Sequence, residues 1–139
     1  MTTRFTFPTP DCFYDGGLGY SDYRCLINPD SGYPYRNYYA FSVFNSLYSL
    51  GTQVKSEQGD GGVFVCAARN GRRGCIALAN PYDCEIRLTL DISGMPTEYA
   101  QICRIDGENR YTVTGESLVN GIITLPPYGC AEIKLYDLG

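Results

Sequence analysis

The chain contains no histidine and no tryptophan among its 139 residues. Without histidine, the usual base for a serine or cysteine nucleophile is missing, and so is one of the two most common zinc ligands. The seven cysteines do not replace it, because no two of them have the C-x-x-C spacing of a redox or zinc site. The sequence therefore excludes Ser/Cys–His hydrolysis and predicts no metal, no cofactor and no cofactor-binding residues.

Clustered positive charge and long apolar runs are also lacking. The 11 basic residues are scattered, so no basic stripe can neutralise a phosphate backbone. The most apolar long stretch, residues 38–54, is interrupted by serine, asparagine and glutamine, and no apolar run of signal-peptide length begins the chain. We expect no nucleic-acid partner, no membrane insertion, and a cytoplasmic protein with mostly reduced, buried cysteines.

A pair of catalytic carboxylates is not evident either. Hydrolysis of a glycoside by acid–base chemistry needs two carboxyl groups on rigid elements, about 5 to 10 Å apart. The acidic residues fall in predicted turns or at the chain end, and on the predicted solvent side of strands: Asp60, Asp106, Glu108 and Asp137, then Glu85, Asp91 and Glu132. They are typical of solvated surface charge, and we assign no catalytic residue.

Glycine and proline residues mark the boundaries between segments of the chain. Residues 1–35 form a loop-rich aromatic leader, too apolar for a disordered tail. Residues 36–51 are predicted to be a helix, with Asn37 as the N-cap and Gly51 just beyond its last turn. No charged residue lies between Arg36 and Lys55, so the apolar face of this helix is unusually wide. We expect the helix to be covered on both sides.

From residue 52 the pattern alternates, with turn signals every eight to fifteen residues. The sequence thus predicts a mainly β fold, an antiparallel, jelly-roll-like β-sandwich of seven or eight strands over residues 52–139. The helix packs against it within one structural domain. The predicted strands are 63–68, 74–79, 85–90, 99–106, 111–114, 122–125 and 130–136. The last predicted strand, 130–136, has the alternating pattern of an edge or sheet-surface strand.

The dipeptide Asn70-Gly71 predicts a two-residue type I′ turn between the first two of these strands. This register places the apolar residues opposite one another as Val63 with Leu78, Val65 with Ile76, and Ala67 with Gly74. On the other face it places Cys66 opposite Cys75, within reach of a disulfide. We expect both to be reduced thiols, because cross-strand bridges are strained.

Several segments together resemble part of the glycoside hydrolases of the family 39 β-xylosidase kind and related arabinofuranosidase-type enzymes. Residues 37–51, with Tyr-Tyr-Ala-Phe at 38–41, are similar to the helix leaving the last barrel repeat. Residues 63–71, 76–80, 88–94 and 123–129 are similar to strands of the C-terminal accessory β-sandwich, and residues 13–15 and 26–28 to the end of the barrel. The resemblance implies no catalytic residue, since the family's catalytic glutamates lie on barrel strands that this chain lacks. It also implies an edge strand at 4–7, because the family's sandwich receives chain from before the barrel.

Two functions remain open. The chain is expected to be a non-catalytic accessory or interaction domain, a remnant or fragment without the barrel; the alternative is a carbohydrate-binding module that uses surface tyrosines, since eight of the 13 tyrosines lie between residues 14 and 48. The expected partners are a second copy of the chain, a glycoside hydrolase barrel or an oligosaccharide, and a homodimer is favoured over the leader folding back. The candidate interface or saccharide contacts are Tyr33, Tyr35, Tyr38, Phe41 and Phe44.

Overall fold

A computed structural model describes residues 26–27 and 31–139. The predicted edge strand at 4–7 and most of the predicted leader lie outside the described residues. The described elements are α1 (Arg36–Leu50), β1 (Thr52–Val54), β2 (Phe64–Asn70), β3 (Arg73–Ala79), β4 (Ile86–Thr89), β5 (Gln101–Ile105), β6 (Arg110–Val113), a short helical turn (Val119–Gly121), β7 (Ile122–Leu125) and β8 (Cys130–Tyr136). The predicted fold class is confirmed: over the described residues the chain is mainly β, with eight strands in two antiparallel sheets and one α-helix.

The larger sheet has six strands in the order β1-β2-β3-β8-β5-β6, and the smaller sheet pairs β4 with β7. The last strand of the chain, β8, therefore lies at the centre of the larger sheet, between β3 and β5. The prediction of an edge or surface position for this strand was wrong. Its alternation of apolar and polar residues indicates one apolar face, but the strand sequence does not reveal what covers the other face.

The two sheets bury an apolar core between them. The inner face of the larger sheet contributes Ile76, Leu78, Ile102, Ala131, Ile133 and Leu135, and the smaller sheet contributes Ile123 and Leu125. Along β4 half-buried and exposed residues alternate, as the sequence predicts for a strand with one wet face. Since burying one such aliphatic side chain stabilises a fold by about 1.5–3 kcal/mol, this core is what holds the two sheets together.

The outer face of the larger sheet is covered by α1. Leu47 and Leu50 of the helix pack on small side chains, Ala68 of β2 and Cys75 of β3. Small side chains let the helix backbone approach the sheet closely. The domain therefore has three layers, in the order helix, six-stranded sheet, two-stranded sheet.

The helix ends as predicted but begins earlier. Gly51 takes the left-handed conformation (φ 79°), and its N–H donates to the Tyr48 carbonyl. The N-cap position belongs to Tyr35 rather than Asn37, and no side chain caps it. The Tyr35 N–H donates to the Leu26 carbonyl at 2.9 Å, which holds Tyr35 extended and lets the helix start directly after it.

The β2–β3 hairpin differs from its predicted register by two residues. Asn70 pairs with Arg73, so the turn consists of Gly71 and Arg72, with Gly71 at φ 55°. A turn with glycine at its first central position is of the II′ kind rather than I′. The actual pairs are Val65 with Leu78, Ala67 with Ile76, Arg69 with Gly74, Cys66 with Ala77, and Ala68 with Cys75. The apolar face is preserved because the shift is even, but Cys66 and Cys75 are not opposite each other, and both are free thiols.

Candidate functional site

A carboxylate is buried between α1 and the larger sheet. Glu132 lies on the outer face of β8, and only 1% of the residue is exposed. The prediction of a solvated Glu132 was wrong, because α1 covers the face of β8 that the strand pattern assigns to solvent. A buried charge of this kind requires compensating partners.

Both oxygens of Glu132 have such partners. The Tyr111 hydroxyl donates to Oε2 at 2.6 Å, and the Lys134 ammonium lies 3.4 Å from the same oxygen. The Cys75 thiol donates to Oε1 at 3.6 Å, a length compatible with a hydrogen bond from sulfur. Lys134 also donates to the Tyr111 hydroxyl at 3.2 Å. The carboxylate, the phenol and the ammonium therefore form one closed network, which we call the Glu132 cluster.

A local irregularity in β6 brings Tyr111 into this cluster. The pairing of β5 with β6 shifts next to Ile105, so that Tyr111 is an extra residue with φ 60°. Bulges of this kind redirect a side chain, and the left-handed conformation costs a non-glycine residue roughly 1–2 kcal/mol. The Tyr111 ring stacks on Tyr39 of α1, with centroids 6.1 Å apart and 14° between the planes. Tyr111 thus joins the helix to the charged groups on the sheet.

The electrostatics of the cluster favour fixed protonation states. Burial, followed by the charge of Glu132 and the hydrogen bond to it, raises the pKa of Cys75 to about 12. Burial also raises the pKa of Cys103 above its ordinary value. For Lys134, burial alone would lower the pKa, but the hydrogen bond to Tyr111 and the charge of Glu132 outweigh it and raise the pKa. Near neutral pH these two thiols stay protonated and Lys134 stays charged, so none of them is a ready nucleophile or base.

A second ion pair lies on the other side of the same sheet. Arg104 of β5 is buried on the inner face and donates to Oε2 of Glu116 from Nε at 2.9 Å and from Nη2 at 2.8 Å. Its Nη1 also donates to the Thr124 carbonyl at 2.6 Å, which ties β5 to β7. Among the described residues, none of the groups bonded to Glu132 is a second carboxylate.

A cleft of about 490 Å³ opens beside Tyr111, along the N-terminal half of α1. The described residues that line it are Leu26, Tyr38, Phe41, Ser42, Asn45, Ser46 and Tyr111. We call it the helix cleft. Two of the predicted contact residues, Tyr38 and Phe41, are brought together here. Tyr33 is 69% exposed and Phe44 63% exposed, and neither lines the cleft; nor does Tyr35, the half-buried N-cap of α1.

Four of the cleft residues were not predicted from the sequence: Ser42, Asn45, Ser46 and Tyr111. The three helical residues do leave a signal, because polar side chains at 42, 45 and 46 recur at helical spacing. Tyr111 leaves none, since its position depends on a bulge.

An aromatic stripe lies along the outer side of α1. Phe41, Phe44 and Tyr48 follow one another at helical spacing, and they are 41%, 63% and 85% exposed. Large apolar side chains at consecutive positions of one exposed helix face are typical of an interaction surface.

Within residues 26–27 and 31–139, no three or more Cys, Asp or Glu side chains are grouped so that they could hold a metal ion. Over the same residues, no helix is both long enough and apolar enough to cross a bilayer.

Comparison by sequence finds no match to a protein-family model and none to a curated protein. Comparison by structure does find relatives of the fold. The family 30, subfamily 8 xylanase Xyn30A from Clostridium acetobutylicum aligns at TM-score 0.69 and 15% identity, over 83% of this chain and 31% of that one. A family 30 endoxylanase from Clostridium papyrosolvens C71 aligns at TM-score 0.66 and 16% identity, over 80% and 30%.

A glucosidase from Croceicoccus marinus is also similar, at TM-score 0.55 and 14% identity, over 87% of this chain and 36% of that one. The chain therefore has a fold that occurs within glycoside hydrolases, and it spans about a third of the length of these enzymes. At such low identity the likeness shows the fold alone. A specific relation to family 39 stays a prediction.

The Glu132 cluster predicts a measurable dependence on the Tyr111 hydroxyl. Tyr111→Phe removes the donor to a buried carboxylate, so we expect the free energy of unfolding to fall by about 1–3 kcal/mol. The matched control is Tyr136→Phe, a half-buried tyrosine of β8 whose hydroxyl bonds no described residue. That change should stay within about 0.5 kcal/mol. Urea denaturation measures both, and equal losses for the two variants would contradict the role assigned to Tyr111.

Proposed function

We propose that this chain is a non-catalytic accessory domain that binds another folded surface through the aromatic stripe of α1. The observation that carries the proposal is the exposure of Phe44 and Tyr48, on a helix whose opposite side is buried against the sheet. Covering such side chains removes apolar area from water, which is the main driving force of most protein association.

The chemistry of the described residues supports binding rather than catalysis. Glu132 is enclosed and hydrogen-bonded, and the Cys75 thiol beside it stays protonated near neutral pH. Neither group reaches a substrate in this arrangement. With no histidine in the chain, a Ser–His or Cys–His pair is not available elsewhere.

The partner that we propose is a catalytic barrel of the glycoside hydrolase kind. Three observations support this choice: the structural neighbours include two xylanases and a glucosidase, this chain spans about a third of each of these, and residues 37–54 carry no charge. An uncharged helix favours an apolar, uncharged partner surface, because an unpaired charge buried against it would be costly. When no barrel is present, the same stripe is expected to pair with a second copy of the chain.

The proposal predicts that the purified chain hydrolyses no glycoside. We expect no turnover of aryl β-xyloside, aryl α-arabinoside, aryl β-glucoside or xylan above a buffer control, because Glu132 is enclosed and the chain has no histidine. Turnover that persists through repeated purification and is abolished by Glu132→Gln would show that the chain is an enzyme.

The proposal also predicts self-association through the stripe. Light scattering of the full chain should show a dimer fraction that rises with concentration. The double variant Phe44→Ser/Tyr48→Ser should weaken this dimer at least about tenfold, because about 1.4 kcal/mol of lost apolar burial is enough for that change. The control is Tyr99→Ser, which removes an aromatic side chain that is 54% exposed and lies outside α1. A monomer at every concentration, or a double variant that dimerises like the parent, would refute self-association through the stripe.

A further inference from the structure

We infer that the helix cleft is a binding site for one ring of a neutral saccharide. The cleft shares Phe41 with the aromatic stripe, but its other described lining residues lie outside the stripe, so the inference goes beyond the docking role. It rests on three properties of the described lining residues: polar groups without a bonded partner, a fixed aromatic wall and the lack of charge.

The polar groups belong to one side of α1. The Ser42 hydroxyl and the Asn45 side-chain amide both line the cleft, and neither bonds to any described residue. Ser46 also lines it, but its hydroxyl donates back to the Ser42 carbonyl at 3.2 Å. A serine hydroxyl donates one hydrogen bond and accepts two, and an asparagine amide both donates and accepts. Sugar hydroxyls have the same dual capacity, so Ser42 and Asn45 match neighbouring hydroxyls on a ring.

The aromatic wall is held in place before any ligand arrives. The Tyr111 ring is stacked on Tyr39, and its hydroxyl is bound by Glu132 and Lys134. Tyr38 and Phe41 add two more rings to the lining. The C–H face of a pyranose is apolar and packs on aromatic rings. Because Tyr111 is already ordered, a ligand that packs against it pays little to immobilise it.

Charge decides which saccharides fit. None of the described lining residues is charged, and the nearby charges of Glu132 and Lys134 are already paired. A uronic acid or a phosphate placed in the cleft would lose hydration without gaining a cation. The volume, about 490 Å³, falls within the 300–1,000 Å³ usual for small-molecule sites. A neutral ring such as xylose or glucose therefore fits the cleft better than an acidic one.

Binding can be measured on the full chain by titration with xylohexaose, cellohexaose and a glucuronic-acid-substituted xylo-oligosaccharide. Calorimetry gives the affinity. Tyrosine fluorescence gives a second measure of binding, because the chain has no tryptophan to dominate the signal. We expect saturable binding of at least one neutral oligosaccharide, and weaker binding of the acidic one. No saturation with either neutral probe at millimolar concentration, or binding of the acidic probe alone, would overturn the inference.

Variants assign the binding to the cleft. Ser42→Ala/Asn45→Ala should weaken affinity at least about tenfold, since two hydrogen bonds are worth about 1–3 kcal/mol, and alanine favours the helix so the fold is kept. The control Ser49→Ala, an exposed helical serine outside the cleft, should bind within twofold of the parent. Phe44→Ser/Tyr48→Ser should also retain binding, which separates this site from the docking stripe. Unchanged affinity in the Ser42/Asn45 variant, with circular dichroism like that of the parent, would refute the site.

Discussion

The carboxylate of Glu132 places a strict requirement on this domain, because a charge at the centre of a sheet is tolerated only if its partners stay in place. Those partners come from three strands: Cys75 from β3, Tyr111 from β6 and Lys134 from β8 itself. The helix completes the enclosure, with Tyr39 stacked on Tyr111. Losing the helix would expose the cluster to water, and losing one partner would leave a buried charge without compensation. The position of α1 and the enclosure of Glu132 therefore depend on each other.

This arrangement gives α1 three different sides. One side packs Leu47 and Leu50 on the small residues of β2 and β3. A second side presents the aromatic stripe to solvent, and a third forms the polar wall of the helix cleft with Ser42 and Asn45. A helix with no charged residue after Arg36 is what such a division requires, since none of the three sides favours an unpaired charge. The proposed functions of the chain follow from these two outward-facing sides.

How far the sequence predicts this structure depends on the range of the interactions involved. Local rules predict the helix end at Gly51 and most of the strands, because left-handed glycines and period-two alternation are properties of short segments. They do not predict that Glu132 is buried, since its side of β8 is covered by a helix some 80 positions earlier in the chain. β1 was missed because it has only three residues directly after Gly51. The hairpin register was wrong because Asn70-Gly71 suits two turns one position apart.

The same reasoning applies to the candidate sites. The aromatic residues predicted as one group of interface or saccharide contacts are divided by the fold: Tyr33, Tyr35, Tyr38, Phe41 and Phe44. Tyr38 and Phe41 line the helix cleft, Phe41 also belongs to the stripe with Phe44, Tyr35 serves as the N-cap, and Tyr33 stands apart. The Tyr111 wall arises from a register shift between β5 and β6, which no spacing in the sequence reveals.

The central claim is that α1 is an integral layer of the domain rather than an appendage to the sandwich. Native-state hydrogen exchange on the full chain tests it most directly. If α1 encloses Glu132, the slowest amides of α1 should exchange with the same free energy of opening as those of β3 and β8, because all three open only on global unfolding. Exchange of the whole helix more than about a hundredfold faster than β8 would show that α1 opens by itself, and would contradict the account.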